Sequence, residues 1–224
     1  MGLLVFILPA LLLSMYAQFK VKSTFEAYSQ VRSSRGASAA EVASVLLRRN
    51  GMGGKVRIEP VAGSLSDHYD PRDRTVRLSE TVYGSNSIAA IGIAAHEVGH
   101  AIQHNQQYGP LEFRHKMVPV TNFASSASFP ILFVGLIMHS FGLIMLGILL
   151  FTAVVVFHVV TLPVELNASR RAIVQLSEAG LVSNDEIPKV RKVLGAAALT
   201  YIAATLMAVA NLIYYLLAFA GSDE

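Results

Sequence analysis

The sequence predicts a mainly α-helical integral membrane protein with four transmembrane helices and a small α+β region. The chain is rich in apolar residues, with 53% hydrophobic residues and a mean hydropathy of +0.50. Four apolar runs are nearly free of charge, and a helix of roughly 20 such residues crosses a bilayer core. All 18 Lys and Arg residues lie between these runs, in residues 19–117 and 164–192. A buried core helix could explain one run, but several in 224 residues favour a membrane bundle.

The four runs divide the chain into spans and polar segments. Residues 1–18 form the first helix, which Pro9 should kink. A signal peptide is the alternative, but no positive charge precedes the apolar stretch, so we interpret it as a retained anchor. Residues 118–163 should form a hairpin of two helices, because only His139 and Ser140 separate their runs. Residues 193–220 form the fourth helix.

The positions of the basic residues predict the orientation in the cell membrane. Positively charged loops remain in the cytoplasm. We therefore expect residues 19–117 and 164–192 to be cytoplasmic in a multi-pass protein. Both termini and the turn at His139 should face the other side, since they carry no Lys or Arg.

The first polar segment predicts a helix, a sheet and a second helix in that order. Ser38 and Glu41 form a capping-box pattern, and Gly51 fits the end of the helix that they begin. Three alternating stretches then predict a small antiparallel sheet, with a turn at residues 71–74. These stretches are residues 55–61, 65–69 and 75–78. An apolar helix is expected at residues 85–106, ending before Pro110.

This last helix contains the motif His96-Glu97-Val98-Gly99-His100. Residues i and i+4 share one face of a helix, so His96 and His100 can bind the same Zn²⁺. Glu97 then lies beside the water that zinc activates and can serve as its general base. The motif predicts a zinc-dependent hydrolase with one zinc ion per chain. The chain has no Cys, so only His and carboxylate ligands are available.

Catalytic zinc usually has a third protein ligand, and two residues are candidates. His104 lies about 12 Å along the helix from His96, which is too far for both to reach one ion directly. We therefore predict that His104 supports the site from outside the ligand set. Glu165 follows the third apolar run and would complete a two-His, one-Glu set, with Ser169 one turn later bonding to a ligand. The alternative is that Glu165 pairs with Arg170 or Arg171 at the membrane surface.

Three stretches of the chain resemble the YugP-type family of membrane zinc metallopeptidases. They are Asp67–Pro71, Ala95–His104 and Leu162–Ala172, in that order along the chain. The resemblance extends over nearly the whole chain. It implies a cytoplasmic, gluzincin-like and therefore zincin-like site, and it supports Glu165 as the third ligand. Asn167 departs from the family, whose members often have Asp there, and we expect it to affect a hydrogen bond near the site.

Peptide hydrolysis at zinc also needs a donor for the developing oxyanion. His68, Tyr69, Arg170 and Arg171 could each supply this donor. Among them, His68 is the candidate catalytic residue, and Tyr69 and Arg170 are the candidates for contacting substrate. Asp67 and Asp70 could instead make this stretch a structural turn. The sheet could present an edge strand that pairs with a substrate backbone, or could simply be packed.

The sequence therefore predicts a membrane-embedded zinc endopeptidase acting at the cytoplasmic face. The expected partners are the lipid bilayer, a membrane-protein or peptide substrate, and other membrane proteins, with no nucleic acid. Two alternatives stay open. One is a catalytically silent zinc-binding scaffold, and the other is a zinc hydrolase of a non-peptide amide.

Overall fold

The computed structural model describes residues 2–219, with side chains from residue 5 onward. The described chain is mostly helical. Its helices are α1 (Gly2–Ser29), α2 (Ala39–Arg49), α3 (Glu80–Tyr83), α4 (Ile88–Asn105), α5 (Gly109–Ile137), α6 (Phe141–Glu178) and α7 (Ile187–Phe219). Its strands are β1 (Arg57–Val61), β2 (His68–Asp70) and β3 (Thr75–Ser79). The predicted fourth span ends at Ala220, which lies outside the described residues, as does the tail 221–224.

Four helices within the described residues are long and apolar enough to cross a membrane, namely α1, α5, α6 and α7. The prediction of four apolar helices is confirmed. Each helix is longer than its apolar run, because polar residues continue the helical backbone. For example, α6 continues past Leu162 as far as Glu178 and includes Pro163. Similarly, α5 begins at Gly109, before its apolar run, and Pro110 lies in its first turn.

The sheet confirms three strands but corrects their arrangement. The strand order is β1-β3-β2, with β2 antiparallel to β3 but β1 parallel to β3. The predicted fully antiparallel sheet was therefore wrong. The turn at residues 71–74 does join β2 and β3, as expected. Residues 62–67, however, are long enough to carry the chain past the end of β3, so β1 and β2 lie on opposite sides of it. Asp67 fixes this connection by accepting hydrogen bonds from the backbone N–H and hydroxyl of Ser79.

The chain divides into two compact units. Within the described residues, the first comprises the chain up to residue 18, residues 109–163 and the chain from residue 200 onward, and the second comprises residues 19–108 and 164–199. The second unit has a core formed by α2, β3, α4, the C-terminal part of α6 and the N-terminal part of α7. Fully buried members of this core include Leu46, Val76, Ile91, Val98 and Leu176. The predicted capping box of α2 is present, with Ser38 and Glu41 bonding each other's backbone N–H groups.

Candidate metal centre

Helix α4 lies in the core of the second unit and carries the His-Glu-x-x-His motif. Its N-cap is Ser87, whose hydroxyl accepts a hydrogen bond from the backbone N–H of Ala90. Most of its residues are buried, which explains why an apolar sequence such as IAAIGIAA precedes the motif. A helix packed on most sides fixes the direction of its side chains. His96 and His100 therefore project from a rigid support, with ring centroids 4.7 Å apart.

Gly99, inside the motif, lets α6 approach α4 at backbone distance. A Cβ atom at this position would lie 2.6 Å from the carbonyl oxygen of Ala168 and 3.2 Å from its Cα. Such a separation is shorter than real Cβ contacts, so only glycine fits without a shift. The close crossing brings Glu165 and Ser169 of α6 opposite the two histidines.

The ligand atoms of His96, His100 and Glu165 converge on one point. Nε2 of His96 lies 3.2 Å from Oε2 of Glu165, and Nε2 of His100 lies 3.4 Å from the same oxygen. All three ligand atoms lie within 4.8 Å of one another. Zinc bonds of about 2.0–2.1 Å in tetrahedral geometry separate neighbouring ligand atoms by about 3.3 Å. The three side chains therefore fit a tetrahedral zinc ion, and Glu165 is only 2% exposed.

Each histidine is oriented through its other ring nitrogen. Nδ1 of His96 lies 3.1 Å from the hydroxyl of Ser169, and Nδ1 of His100 lies 3.0 Å from Oε1 of Gln103. Hydrogen bonds of this kind fix the ring and direct Nε2 toward the metal position. Ser169 thus contacts His96, which the sequence analysis named as a candidate ligand.

Gln103 was not identified from the sequence, yet it connects several parts of the site. It is fully buried, and its amide donates to the backbone oxygen of Val164 and to Oδ1 of Asn167. Its position three residues after His100 was the available signal, because residues i and i+3 are neighbours on a helix. Asn167 also accepts a hydrogen bond from Nε of Arg171, so the predicted residue Asn167 links two donors.

Glu97, the second residue of the motif, is a buried carboxylate beside the two histidines. It is 7% exposed, and it has no hydrogen-bond partner among the residues that the structure describes. Burial raises the pKa of Glu97, while nearby His96 and His100 lower it by less. A carboxylate with a raised pKa accepts and returns protons more readily near neutral pH.

The pKa of His100 is also raised, but here the neighbouring groups rather than burial are the cause. Burial disfavours the charged ring, but the hydrogen bond and charge of Glu165 outweigh burial and raise the pKa of His100. The surroundings therefore favour positive charge at this position, which a bound cation would also supply.

The other predicted residues lie on β2 and at the end of α4. The hydroxyl of Tyr69 is 2.8 Å from Nδ1 of His104, and this hydrogen bond ties β2 to α4. Burial raises the pKa of Tyr69 to about 12, so its hydroxyl stays protonated at neutral pH. His68 is exposed, with Nδ1 located 2.8 Å from the backbone oxygen of Ser66. His104 lies outside the three-residue metal group, as the helix spacing predicted.

The adjacent arginines have different surroundings. Arg171 bonds Asn167 and Gln106, and its guanidinium lies 5.9 Å from the ring centre of Tyr108. Arg170 is exposed and lines a groove between α6 and α7 together with Ser169. Glu165, for which pairing with these arginines was the alternative, lies in contact with the two histidines.

Comparisons with known proteins show the family to which the chain belongs. The family model described as "Putative neutral zinc metallopeptidase" matches residues 3–220. The chain is 52% identical over 219 residues to the "Putative membrane protease YugP" of Bacillus subtilis (strain 168), covering 97% of this chain and 96% of that protein. No solved structure matches the chain. The predicted family resemblance is confirmed, and with its four apolar helices the chain is a multi-pass membrane protein. It belongs to this family of neutral zinc metallopeptidases.

Proposed function

We propose that the protein is a zinc endopeptidase that cleaves membrane-associated proteins or peptides at the cytoplasmic face. One observation carries the proposal. The Nε2 atoms of His96 and His100 lie 3.2 Å and 3.4 Å from the same oxygen of Glu165, while Glu97 has no protein partner in the described structure. Three converging ligands and one free buried carboxylate are the groups that metal-assisted hydrolysis needs.

His96, His100 and Glu165 would hold one zinc ion, and Glu97 would carry the proton. A zinc ion held there would lower the pKa of a water toward neutral and polarise the substrate carbonyl. Glu97 takes a proton from the attacking water and returns it to the nitrogen of the leaving amine. Ser169 and Gln103 keep the two imidazoles fixed throughout, so little reorganisation is needed.

The sheet offers a means of aligning the substrate in a zincin-like arrangement. β2 is an edge strand, because it pairs with β3 on one side only within the described sheet. A substrate in extended conformation could pair with its free edge by backbone hydrogen bonds. His68 and Tyr69 on this strand are the proposed donors to the oxyanion that forms during cleavage. Arg170 remains a candidate substrate contact.

The membrane-associated substrate class is supported by the path of the chain. Glu165 lies three residues after the end of the third apolar run, on the same helix α6. The metal helix α4, by contrast, is not among the helices that could cross a membrane in the described chain. Together with the positions of the basic residues, this favours cleavage beside the bilayer on its cytoplasmic side.

A reconstitution experiment tests this proposal. The purified protein is inserted into lipid vesicles together with a model membrane protein that has a flexible cytoplasmic segment. Cleavage in that segment is expected, and Glu97→Gln should abolish it while keeping zinc. The same segment, added as a free peptide, should be cleaved more slowly because the bilayer no longer concentrates it. Cleavage that persists in Glu97→Gln would contradict the proposed base.

The two alternatives make different predictions in the same experiment. A catalytically silent scaffold would bind zinc and cleave neither form of the segment. A hydrolase of non-peptide amides would leave both segments intact but release amine from a small acylated substrate, and Glu97→Gln would prevent that release.

A further inference from the structure

A groove on the second unit, between α6 and α7, has an apolar floor and a basic rim. It encloses a cavity of about 380 Å³, within the size range of roughly 300–1,000 Å³ found for small-molecule sites. Leu166, Ile173, Val174 and Leu194 contribute its apolar surface. The side chains of Arg170 and Arg191 also line it.

Both arginines are available to bind an anion. Arg170 and Arg191 are exposed, and neither forms an ion pair or side-chain hydrogen bond within the part of the chain that the structure describes. The neighbouring Arg171 is different, since Asn167 and Gln106 accept its hydrogen bonds. Two free guanidinium groups beside an apolar surface match a ligand with one anionic head and a hydrocarbon tail. Arginine recognises phosphate oxygens well, because its N–H groups can donate two parallel bonds.

The position of the groove along the chain indicates where such a ligand would come from. Arg191 lies two residues before the last apolar run, and Arg170 lies eight residues after the third. Both runs belong to helices that could cross a membrane. Basic pockets between such helices on the cytoplasmic side are typical sites for anionic lipid head groups.

We propose that this groove binds one anionic phospholipid, with its phosphate at Arg170 and Arg191 and an acyl chain along the apolar floor. Ser169 joins the groove to the metal centre, because it lines the groove and its hydroxyl bonds to His96. An occupied groove would restrain Ser169 and hence the ring of His96. The lipid site itself does not depend on peptide hydrolysis.

Lipid binding to the purified full-length protein can be measured by native mass spectrometry. Phosphatidylglycerol is titrated into the detergent-solubilised protein, and zwitterionic phosphatidylcholine is titrated in parallel. We expect one phosphatidylglycerol to bind selectively. Replacing both arginines, in Arg170→Gln/Arg191→Gln, should weaken binding about 30-fold, at about 5-fold for each charge near the membrane surface. The matched control is Arg35→Gln/Lys192→Gln, which removes the same charge from exposed positions outside the groove.

A second variant fills the floor without changing charge. A Cβ atom on Gly195, which also lines the groove, meets nothing within 4 Å, so Gly195→Leu should fold normally. Displacing only about two methylenes of the acyl chain costs about 10-fold in affinity. Excess inorganic phosphate should not displace the lipid.

Three results would overturn the proposal. The first is equal binding of the two lipids, and the second is displacement by phosphate alone. The third is unchanged phosphatidylglycerol binding in Gly195→Leu or in the double arginine variant.

Discussion

Replacing Gly99 with alanine should weaken zinc binding by changing one distance between helices. The new Cβ atom would lie 2.6 Å from the carbonyl oxygen of Ala168. Real Cβ contacts are almost never shorter than 3.0 Å and are ordinary from 3.4 Å. Helices α4 and α6 must therefore separate by about 0.4–0.8 Å at this crossing, since neither contacting atom belongs to a flexible side chain.

The required shift is large compared with the tolerance of a metal site. Ligand distances in such sites hold to within about 0.2 Å. Glu165 lies on α6 and the two histidines lie on α4, so separating the helices moves ligands apart. We expect zinc affinity to fall about 10- to 100-fold or more, as for disturbed supporting contacts. Crowding the core should also lower the free energy of unfolding by about 1–3 kcal/mol.

A matched glycine on the same helix supplies the control. Gly92 is also in α4, but a Cβ atom there would meet side-chain atoms that can yield, namely Cγ1 of Val190 at 3.3 Å and Cδ2 of Leu194 at 4.0 Å. Gly92→Ala should keep native zinc affinity. It should also be slightly more stable, because alanine favours helix over glycine by about 1 kcal/mol. Competition with a chromogenic chelator measures zinc affinity, and thermal unfolding of the zinc-free proteins separates misfolding from a metal defect.

The reasoning fails if Gly99→Ala binds zinc within twofold of the native protein and unfolds at the same temperature. That outcome would mean that α4 and α6 can separate without moving the ligand atoms. A loss of zinc affinity equal in Gly92→Ala and Gly99→Ala would also contradict it, since only one position has a backbone contact.

Three further predictions test other parts of the structure. Gln103→Ala should lower zinc affinity about 10- to 100-fold by releasing the ring of His100, measured by the same chelator competition. Tyr69→Phe should remove one contribution to alkaline unfolding. Tyr69 has a pKa near 10 in the unfolded chain and about 12 in the folded protein. The contribution of its protonated hydroxyl to the free energy of unfolding is therefore complete below pH 10 and is lost as the pH rises from 10 to 12. Thermal unfolding of the two proteins from pH 9 upward measures the difference. Gly147→Leu should destabilise the α5–α6 hairpin by about 1–3 kcal/mol, because its Cβ would lie 2.7 Å from Leu132, whereas Gly142→Leu has open space and should unfold like the native protein.

The parts of the site that the sequence predicted are those with a local signal. The spacing of His96 and His100 is a property of any helix, and Ser169 follows Glu165 at helical spacing in the same way. The four apolar helices were predictable because the bilayer requires long uncharged runs. These inferences need no knowledge of how distant segments pack.

The features that were missed depend on contacts between distant segments. Strand β1 pairs with β3 rather than with β2, and a local alternating pattern contains no information on such pairing. Gln103 became visible only when α6 placed Asn167 and Val164 against it. Gly99 looked like a variable position within the motif until its contact with Ala168 explained why a side chain is excluded.

The central claim assigns different roles to neighbouring carboxylates, with Glu165 holding zinc and Glu97 moving a proton. Measuring zinc per chain in the purified native protein, Glu97→Gln and Glu165→Ala tests it most directly. We predict one zinc in the native protein and in Glu97→Gln, and a large loss in Glu165→Ala. Full zinc in Glu165→Ala, or loss of zinc in Glu97→Gln, would contradict these assignments.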